Sequence, residues 1–403
     1  MVSRYPEERG APVTVVVTGL GAVSCFGGGT AALWDGLLRA DRRPVPAPDA
    51  CGLPTRPYLY AAPDPGPVHP HPDTAAPGGE PAGRTSALVA TAVAEAVEDA
   101  GLTAEDLLDA GLTVGTSLGD IDLAETPEAF DRRLATHRVA AVVAGRFGIG
   151  GPCQTLSTAC SAGAYAVGWG AELIATGQAD VVVACGGDAF SRVAIGTLQR
   201  FGLVDPECCR PFDVDRAGMV TGEGAAAVVL ESAASARRRG ADALATLAGH
   251  GWSCDAHHPM APEPSGEQLC RSAARALAGA TEAPGAVVLH RAGVAGNDSV
   301  ESAAVGRAVA AVGDGTAAEV AGYAPKAVMG HTAGAAGVFG CVIAALILRH
   351  GVVPPNAHVS TLDPECPLGV PLGEPAPLAR PSVLVSGTGF GGNNAVLAWR
   401  AVG

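Results

Sequence analysis

The chain has 403 residues, 48% of them hydrophobic and only 16% charged, with a formal net charge of −14. This composition specifies a compact globular protein with a sizeable core, arranged as two or three average domains or one large two-lobed unit. It excludes a disordered chain, and with no basic tract to neutralise phosphates it excludes a nucleic-acid partner.

The first residues, MVSRYPEERG, are polar and lack the apolar core of a signal peptide. Apolar runs such as Val338–Leu348 are too short to span a bilayer, so no membrane is expected. Eleven cysteines, an odd number without regular spacing, suit a reducing cytoplasm better than a disulfide framework.

A valine-rich strand, Val13–Val17, runs into a glycine turn at Gly19 and Gly21. This is half of a dinucleotide fingerprint, but the third glycine position holds Ser24 and no acid closes a second strand about 20 residues on. The nicotinamide-dehydrogenase reading is therefore weak, and no cofactor is expected. Residues 42–83, rich in Pro, Gly and Asp, read as a surface excursion. An alanine-rich amphipathic helix follows over 84–100, closed by Gly101, then a short buried strand over 112–116. Residues 120–138 are charged and helical or looped, with Arg132, Arg133 and Arg138 as basic members.

The chain is organised around Thr155–Gly177, TLSTACSAGAYAVGWGAELIATG. A β-prone run leads into Cys160, and an unbroken helical pattern follows to Gly177, where a helix C-cap belongs. A second apolar run, Val181–Cys185, completes strand–turn–helix–strand with a thiol at the elbow. Backbone N–H groups at a helix start stabilise an anion, so this cysteine is expected to tend toward thiolate. The bland alternative is one more buried cysteine. Ala159, Ser161, Ala162 and Gly163 distinguish Cys160 by leaving room for a substrate. After the elbow come a glycine turn at Gly222 and Gly224 and a strand over 225–231, then ARRRG at Arg237–Gly240, which reads as a solvated helix end.

The second half repeats the plan. GHTAGAAGVFGCVIAALILRHG overlays the elbow segment so that Gly163 meets Gly337, Gly177 meets Gly351, and Gly334 falls where Cys160 stands. GTGFGGNNAVLAWR repeats the glycine-turn-then-strand ending. The expected fold is thus an internally duplicated α/β architecture. His69, His71, His257, His258, His350 and His358 lie beside prolines, in polar stretches or at helix ends, and His257 and His258 have no second cluster with metal-ligand spacing. His290 differs because it directly follows the buried-strand pattern AVVL, and His331 because it opens the second-half helix. One cysteine and two histidines at element ends make a nucleophile with two proton or charge partners.

VVVTGLGAVS, STACSAG, CRPFDVDRAGMVTGEGAA, KAVMGHTAGAAG and GFGGNNAVL together carry a resemblance over nearly the whole chain. It resembles the β-ketoacyl-acyl-carrier-protein synthases, the ketosynthases of fatty-acid and type II polyketide assembly, within the thiolase superfamily. The resemblance implies an α/β thiolase-like fold: two duplicated βαβ halves in a layered αβαβα sandwich. Residues 1–237 would carry the nucleophile and 238–403 both histidines. It implies that Cys160 accepts the acyl group, that the N–H groups of Cys160 and Phe390 form an oxyanion hole, and that His290 and His331 assist malonyl decarboxylation. Lys326 matches the family's active-site lysine, Phe390 a gate beside the thiol, and Leu118, Met219, Phe390 and Gly391 the substrate-binding positions. The implied partner is an acyl carrier protein bearing its acyl substrate on phosphopantetheine, with a homodimer or heterodimer as the assembly and no metal or cofactor. Arg132, Arg133 and Arg138 are the docking candidates.

The chain also departs from that family's pattern. His-Gly-Thr-x-Thr becomes His290-Arg291-Ala292-Gly293-Val294, so both threonines are lost. The glutamate expected nine residues after His331 is Gly340, which removes the usual partner of Lys326; Met219 stands for a phenylalanine and Ala217 for an aspartate. These changes point to specialised biosynthesis. They leave three functions open: decarboxylative condensation, cyclisation or acyl transfer from acyl-Cys160, and a non-catalytic partner subunit.

Overall fold

The computed structural model describes residues 13–48, 56–66, 82–125, 135–313 and 315–402. The N-terminal polar stretch to Gly10, His69, His71, Arg132 and Arg133 lie outside the described residues.

Ten strands form the path of the main sheet. They are β1 (Val15–Ser24), β2 (Gly111–Gly115), β3 (Cys153–Leu156), β4 (Val181–Asp188), β5 (Gly224–Ser232), β6 (Ala245–Cys254), β7 (Ala286–Val288), β8 (Ala321–Tyr323), β9 (Ser382–Gly389) and β10 (Asn393–Arg400). Their order across the sheet is β8-β7-β9-β10-β6-β1-β5-β4-β2-β3. The first five strands run β1-β5-β4-β2-β3, and the last five run β6-β10-β9-β7-β8, the same order with each number raised by five. Pairing sense repeats too: β2 is parallel to β4 and β3 as β7 is parallel to β9 and β8, and the remaining pairs are antiparallel. The halves meet where Val15–Val17 pairs antiparallel with Ala245–Leu247. The duplication expected from sequence is therefore a duplication of topology, as the thiolase-like fold requires.

The helices that matter for function are α1 (Arg84–Asp99), α2 (Ala162–Ala175), α3 (Arg192–Arg200), α4 (Glu267–Ala276), α5 (Ala295–Ala310) and α6 (Ala336–His350). The half-fingerprint glycines serve packing. A Cβ on Gly19 would lie 2.2 Å from the Ala96 carbonyl and one on Gly21 1.9 Å from that of Ala92, so α1 can seat on β1 only because both are glycine.

α2 and α6 cross at the glycines paired by the sequence overlay. A Cβ on Gly163 would lie 2.6 Å from the Gly334 carbonyl, and one on Gly337 2.2 Å from the Ala164 nitrogen. Before each helix stands a 3-10 turn, Ala159–Ser161 and Ala333–Ala335, whose first alanine is left-handed (φ 52° and 46°). With its preceding turn, α6 forms a stretch, Ala333–His350, that is long and apolar enough to cross a membrane, contrary to the expectation from shorter apolar runs. Here it fills the core instead, with Val338, Val342, Ile343 and Ile347 fully buried.

Two surface readings are corrected. Residues 42–83 are not wholly a surface excursion: Tyr58–Tyr60 pairs with Thr221–Gly222, and the buried Tyr60 hydroxyl donates to the Ala327 carbonyl at 2.8 Å. The arginine run ends the helix Ala233–Arg239 as expected, but Arg239 is only partly exposed, because it pairs at 2.9 Å with the buried Glu231.

Candidate active site

β3 delivers the chain to the first elbow, where Cys160 occupies the middle of the 3-10 turn and α2 begins two residues later. The end of β9 runs directly over this turn. A Cβ on Gly389 would lie 2.8 Å from the Thr158 carbonyl and 3.0 Å from the Ser161 nitrogen, so only glycine lets β9 pass this close to the turn. A cavity of about 500 Å³ opens at this point, and its wall includes Cys160, His290, His331, Phe390, Leu118 and Met219. Four of the six are the residues on which sequence and resemblance placed chemistry, and the other two are expected substrate contacts. Gly391 is corrected: it does not line the cavity, and its N–H is used on the Pro259 carbonyl at 2.7 Å.

His290 lies two residues past β7 on a loop with no regular structure, yet four successive backbone N–H groups are held there by two side chains of α5. Glu301 accepts from His290 (2.7 Å) and Arg291 (2.8 Å), and Asp298 accepts from Ala292 and Gly293 (3.0 Å each). The Ser386 hydroxyl donates to Glu301, and the Lys326 ammonium donates to the His290 carbonyl. His331 is pinned through its backbone: its N–H donates to Val220 at 2.8 Å and its carbonyl accepts from Gly222 at 3.0 Å. The imidazole centroids are 5.2 Å apart with perpendicular rings.

Electrostatics set the protonation states. Burial, then the charge of Lys326, holds both imidazoles well below the ordinary histidine value, so at neutral pH each is uncharged with one N–H to donate. Burial brings Lys326 down to about 8, opposed first by the carboxylate of Glu301. The expected thiolate is corrected. Burial pushes the Cys160 thiol up to about 11, outweighing the lowering from Lys326 and from its own backbone N–H. At neutral pH Cys160 therefore rests as a thiol.

Lys326 itself lies behind the histidine and not in the main cavity. It lines a second, much smaller void with Gly340 and Ser386. A Cβ at position 340 would come 2.7 Å from Val385, so this packing excludes the acid that the resemblance leads one to expect. Lys326 nevertheless keeps a carboxylate, since Glu301 supplies the charge from α5.

Sequence reading missed Asp188, Asp298 and Glu301. Asp188 accepts from the Thr116 hydroxyl (2.7 Å) and from the backbone N–H groups of Ser117 (2.8 Å), Leu118 (3.0 Å) and Gly334 (2.6 Å), tying the segment after β2 to the second 3-10 turn. The available signal was an acid ending a buried strand, VVVACGGD, and two acids three residues apart in an otherwise alanine-rich helix start, NDSVES. Arg138 is corrected as a docking candidate: its side chain is 16% exposed and turned 3.6 Å from the buried Asp120. His257 and His258 are exposed, and among the described residues no group of three or more potential metal ligands occurs.

Family models described as β-ketoacyl synthase, N-terminal domain, and β-ketoacyl synthase, C-terminal domain, match residues 13–236 and 244–360. The tetracenomycin polyketide synthase ketoacyl synthase alpha subunit of Streptomyces glaucescens is 33% identical, with 98% of each chain covered. The 3-oxoacyl-[acyl-carrier-protein] synthase 2 of Mycobacterium tuberculosis is 36% identical over 61% of this chain and 60% of that one. Among solved structures, the ishigamide ketosynthase/chain length factor superposes with a TM-score of 0.86 at 34% identity, covering 98% of this chain and 100% of that one.

Proposed function

Since the chain belongs to the β-ketoacyl synthase family of polyketide and fatty-acid assembly, we propose that it catalyses decarboxylative Claisen condensation of an acyl thioester with a malonyl-type extender on acyl carrier protein. The setting is a specialised pathway in the cytoplasm. The observation that carries this reading is the convergence of one thiol and two uncharged imidazoles on a single cavity.

Cys160 Sγ attacks the acyl thioester carbonyl, the carrier thiol leaves, and the thiol proton passes to it by way of a neutral imidazole. Two fixed donors, the N–H groups of Cys160 and Phe390, hold the oxyanion. The malonyl thioester then loses carbon dioxide, and the electron pair of the broken C–C bond moves onto its thioester oxygen, which accepts N–H donation from His290 and His331. The resulting enolate carbon attacks the acyl carbonyl, a C–C bond forms, and the Cys160 sulfur is expelled as a thiolate that takes up one proton from solvent. Donors that need not reorganise while charge develops supply most of the acceleration in such a site.

The chain divides into residues 1–237, which supply the nucleophile, and 238–403, which supply both histidines and Lys326. The carrier delivers its substrate on phosphopantetheine. A homodimer or a heterodimer is the assembly, the latter in keeping with the ketosynthase/chain length factor named above. The hydroxyls missing at Ala292 and Val294 favour, as a second reading, cyclisation or acyl transfer from acyl-Cys160 without an extender.

The test is release of labelled carbon dioxide from malonyl carrier protein, with acylation of Cys160 followed by intact mass. The condensing reading expects release by the wild type and a loss of about 10²–10³-fold in His290→Ala, with acylation retained. Acylation without any release would leave the cyclase or transferase reading, and no acylation at all would make the chain a non-catalytic subunit.

A further inference from the structure

We propose that Arg291 is a positioning residue for His290: its enclosed guanidinium ties the histidine's loop to α5 and two other segments and so fixes the imidazole in the cavity. This rests on the role given to His290 above. Of residues 291–294 only Arg291 carries a polar side chain, the others being Ala292, Gly293 and Val294. It is 1% exposed, and a charge is not carried into a protein interior without partners.

Those partners come from three directions. On one segment the guanidinium lies 4.3 Å over the Phe212 ring, and its Nε donates to the Pro211 carbonyl at 2.9 Å. From α5, the Ser302 hydroxyl accepts from its Nη1, and Asp298 lies 3.6 Å from its Nε. From a third segment, Asp363 and the Cys366 sulfur approach to 4.0 Å and 3.7 Å. Arg216 completes the set, 2.8 Å from Asp363 and 4.0 Å from Asp298, so two guanidiniums face two carboxylates. Asp298 is also one of the two carboxylates that grip the loop backbone. The arginine thus fixes both the chain position next to His290 and the acid that holds the next two amides.

The test uses Arg291→Met and, in case an unpaired carboxylate prevents folding, Arg291→Met/Asp363→Asn, which leaves Arg216 and Asp298 as a matched pair. Acylation of Cys160 should stay within about threefold of wild type. Malonyl decarboxylation should fall by roughly 10²-fold, the usual consequence of misplacing a reacting group by about 1 Å. Arg291→Lys should recover part of that loss. A crystal structure of either Met variant should show the His290 imidazole displaced. Unchanged decarboxylation, or acylation and decarboxylation falling together, would overturn the proposal, as would an unmoved imidazole whatever the reaction proves to be. Acylation without decarboxylation in the wild type would instead count against the condensing reading, and the imidazole position would still decide the role of Arg291.

Discussion

The two elbows share a backbone and differ in what that backbone can carry. Each is a 3-10 turn opened by a left-handed alanine, each precedes a buried helix, and the two helices cross at matching glycines. At the first, Cys160 projects into a cavity. At the second, a Cβ on Gly334 would lie 2.6 Å from the Ser117 nitrogen and 2.7 Å from the Asp188 carboxylate, so no side chain fits. The difference teaches that the left-handed alanine at 159 is not by itself a mark of function, because its copy at 333 bears the same conformation with no side chain at the next position. Strain of this kind invites a functional reading, and the second elbow is the internal control on it. What makes the first elbow chemical is the empty space beside it.

The comparison can be broken most completely by Cys160→Ala, which makes the first elbow as inert as the second. Acyl-enzyme seen by intact mass should disappear entirely while the thermal midpoint stays close to that of the wild type, since one small side chain replaces another. Any residual adduct at the site would contradict the assignment. The reverse change, Gly334→Cys in the Cys160→Ala background, should restore no acylation. It should also destabilise the fold by about 1–3 kcal/mol through overpacking, read as a lower midpoint in denaturant.

A third effect separates the halves by charge. The spacing that pairs Cys160 with Gly334 sets Lys326 opposite Pro152, so only the second half buries an amine at this place. Lys326 falls from its usual 10.5 to about 8 in the folded protein. Between those values the unfolded chain binds the extra proton, and stability from this group therefore rises with pH. Relative to Lys326→Met, the wild type should gain stability from pH 8 to 10 and show no such gain from pH 6 to 7. Parallel stability curves across the whole range would refute the buried-amine assignment.

The duplicated fold was legible because its signals are local and repeat. Glycines at Gly163, Gly177, Gly337 and Gly351 mark helix crossings and ends wherever the chain places them, and a thiol framed by small residues stands out at Cys160. What was not legible depends on distance in sequence. The carboxylate serving Lys326 comes from Glu301, 25 residues earlier, after Gly340 removes the nearer candidate. The strand Tyr58–Tyr60 was invisible among prolines because one partner, Thr221–Gly222, lies far down the chain and the other, Val45–Pro46, is itself a two-residue, proline-bearing strand. The protonation state of Cys160 was misjudged because helix-start geometry can be read from residues, whereas the burial that outweighs it follows only from the folded surroundings.

The sheet's two outer edges end differently. On β8, Gly322 donates to the Gly369 carbonyl at 2.7 Å, and the segment at Gly369 covers the edge. On β3, Cys153 and Gln154 are exposed, and among the described residues nothing pairs with the outer side. An open edge is a place where a sheet can be lengthened, and this one stops four residues short of Cys160. Hydrogen bonds added there would stiffen Thr155 and Leu156 first and the thiol's turn next. The edge at which this sheet can be extended and the Cys160 thiol are therefore joined by one short run of chain.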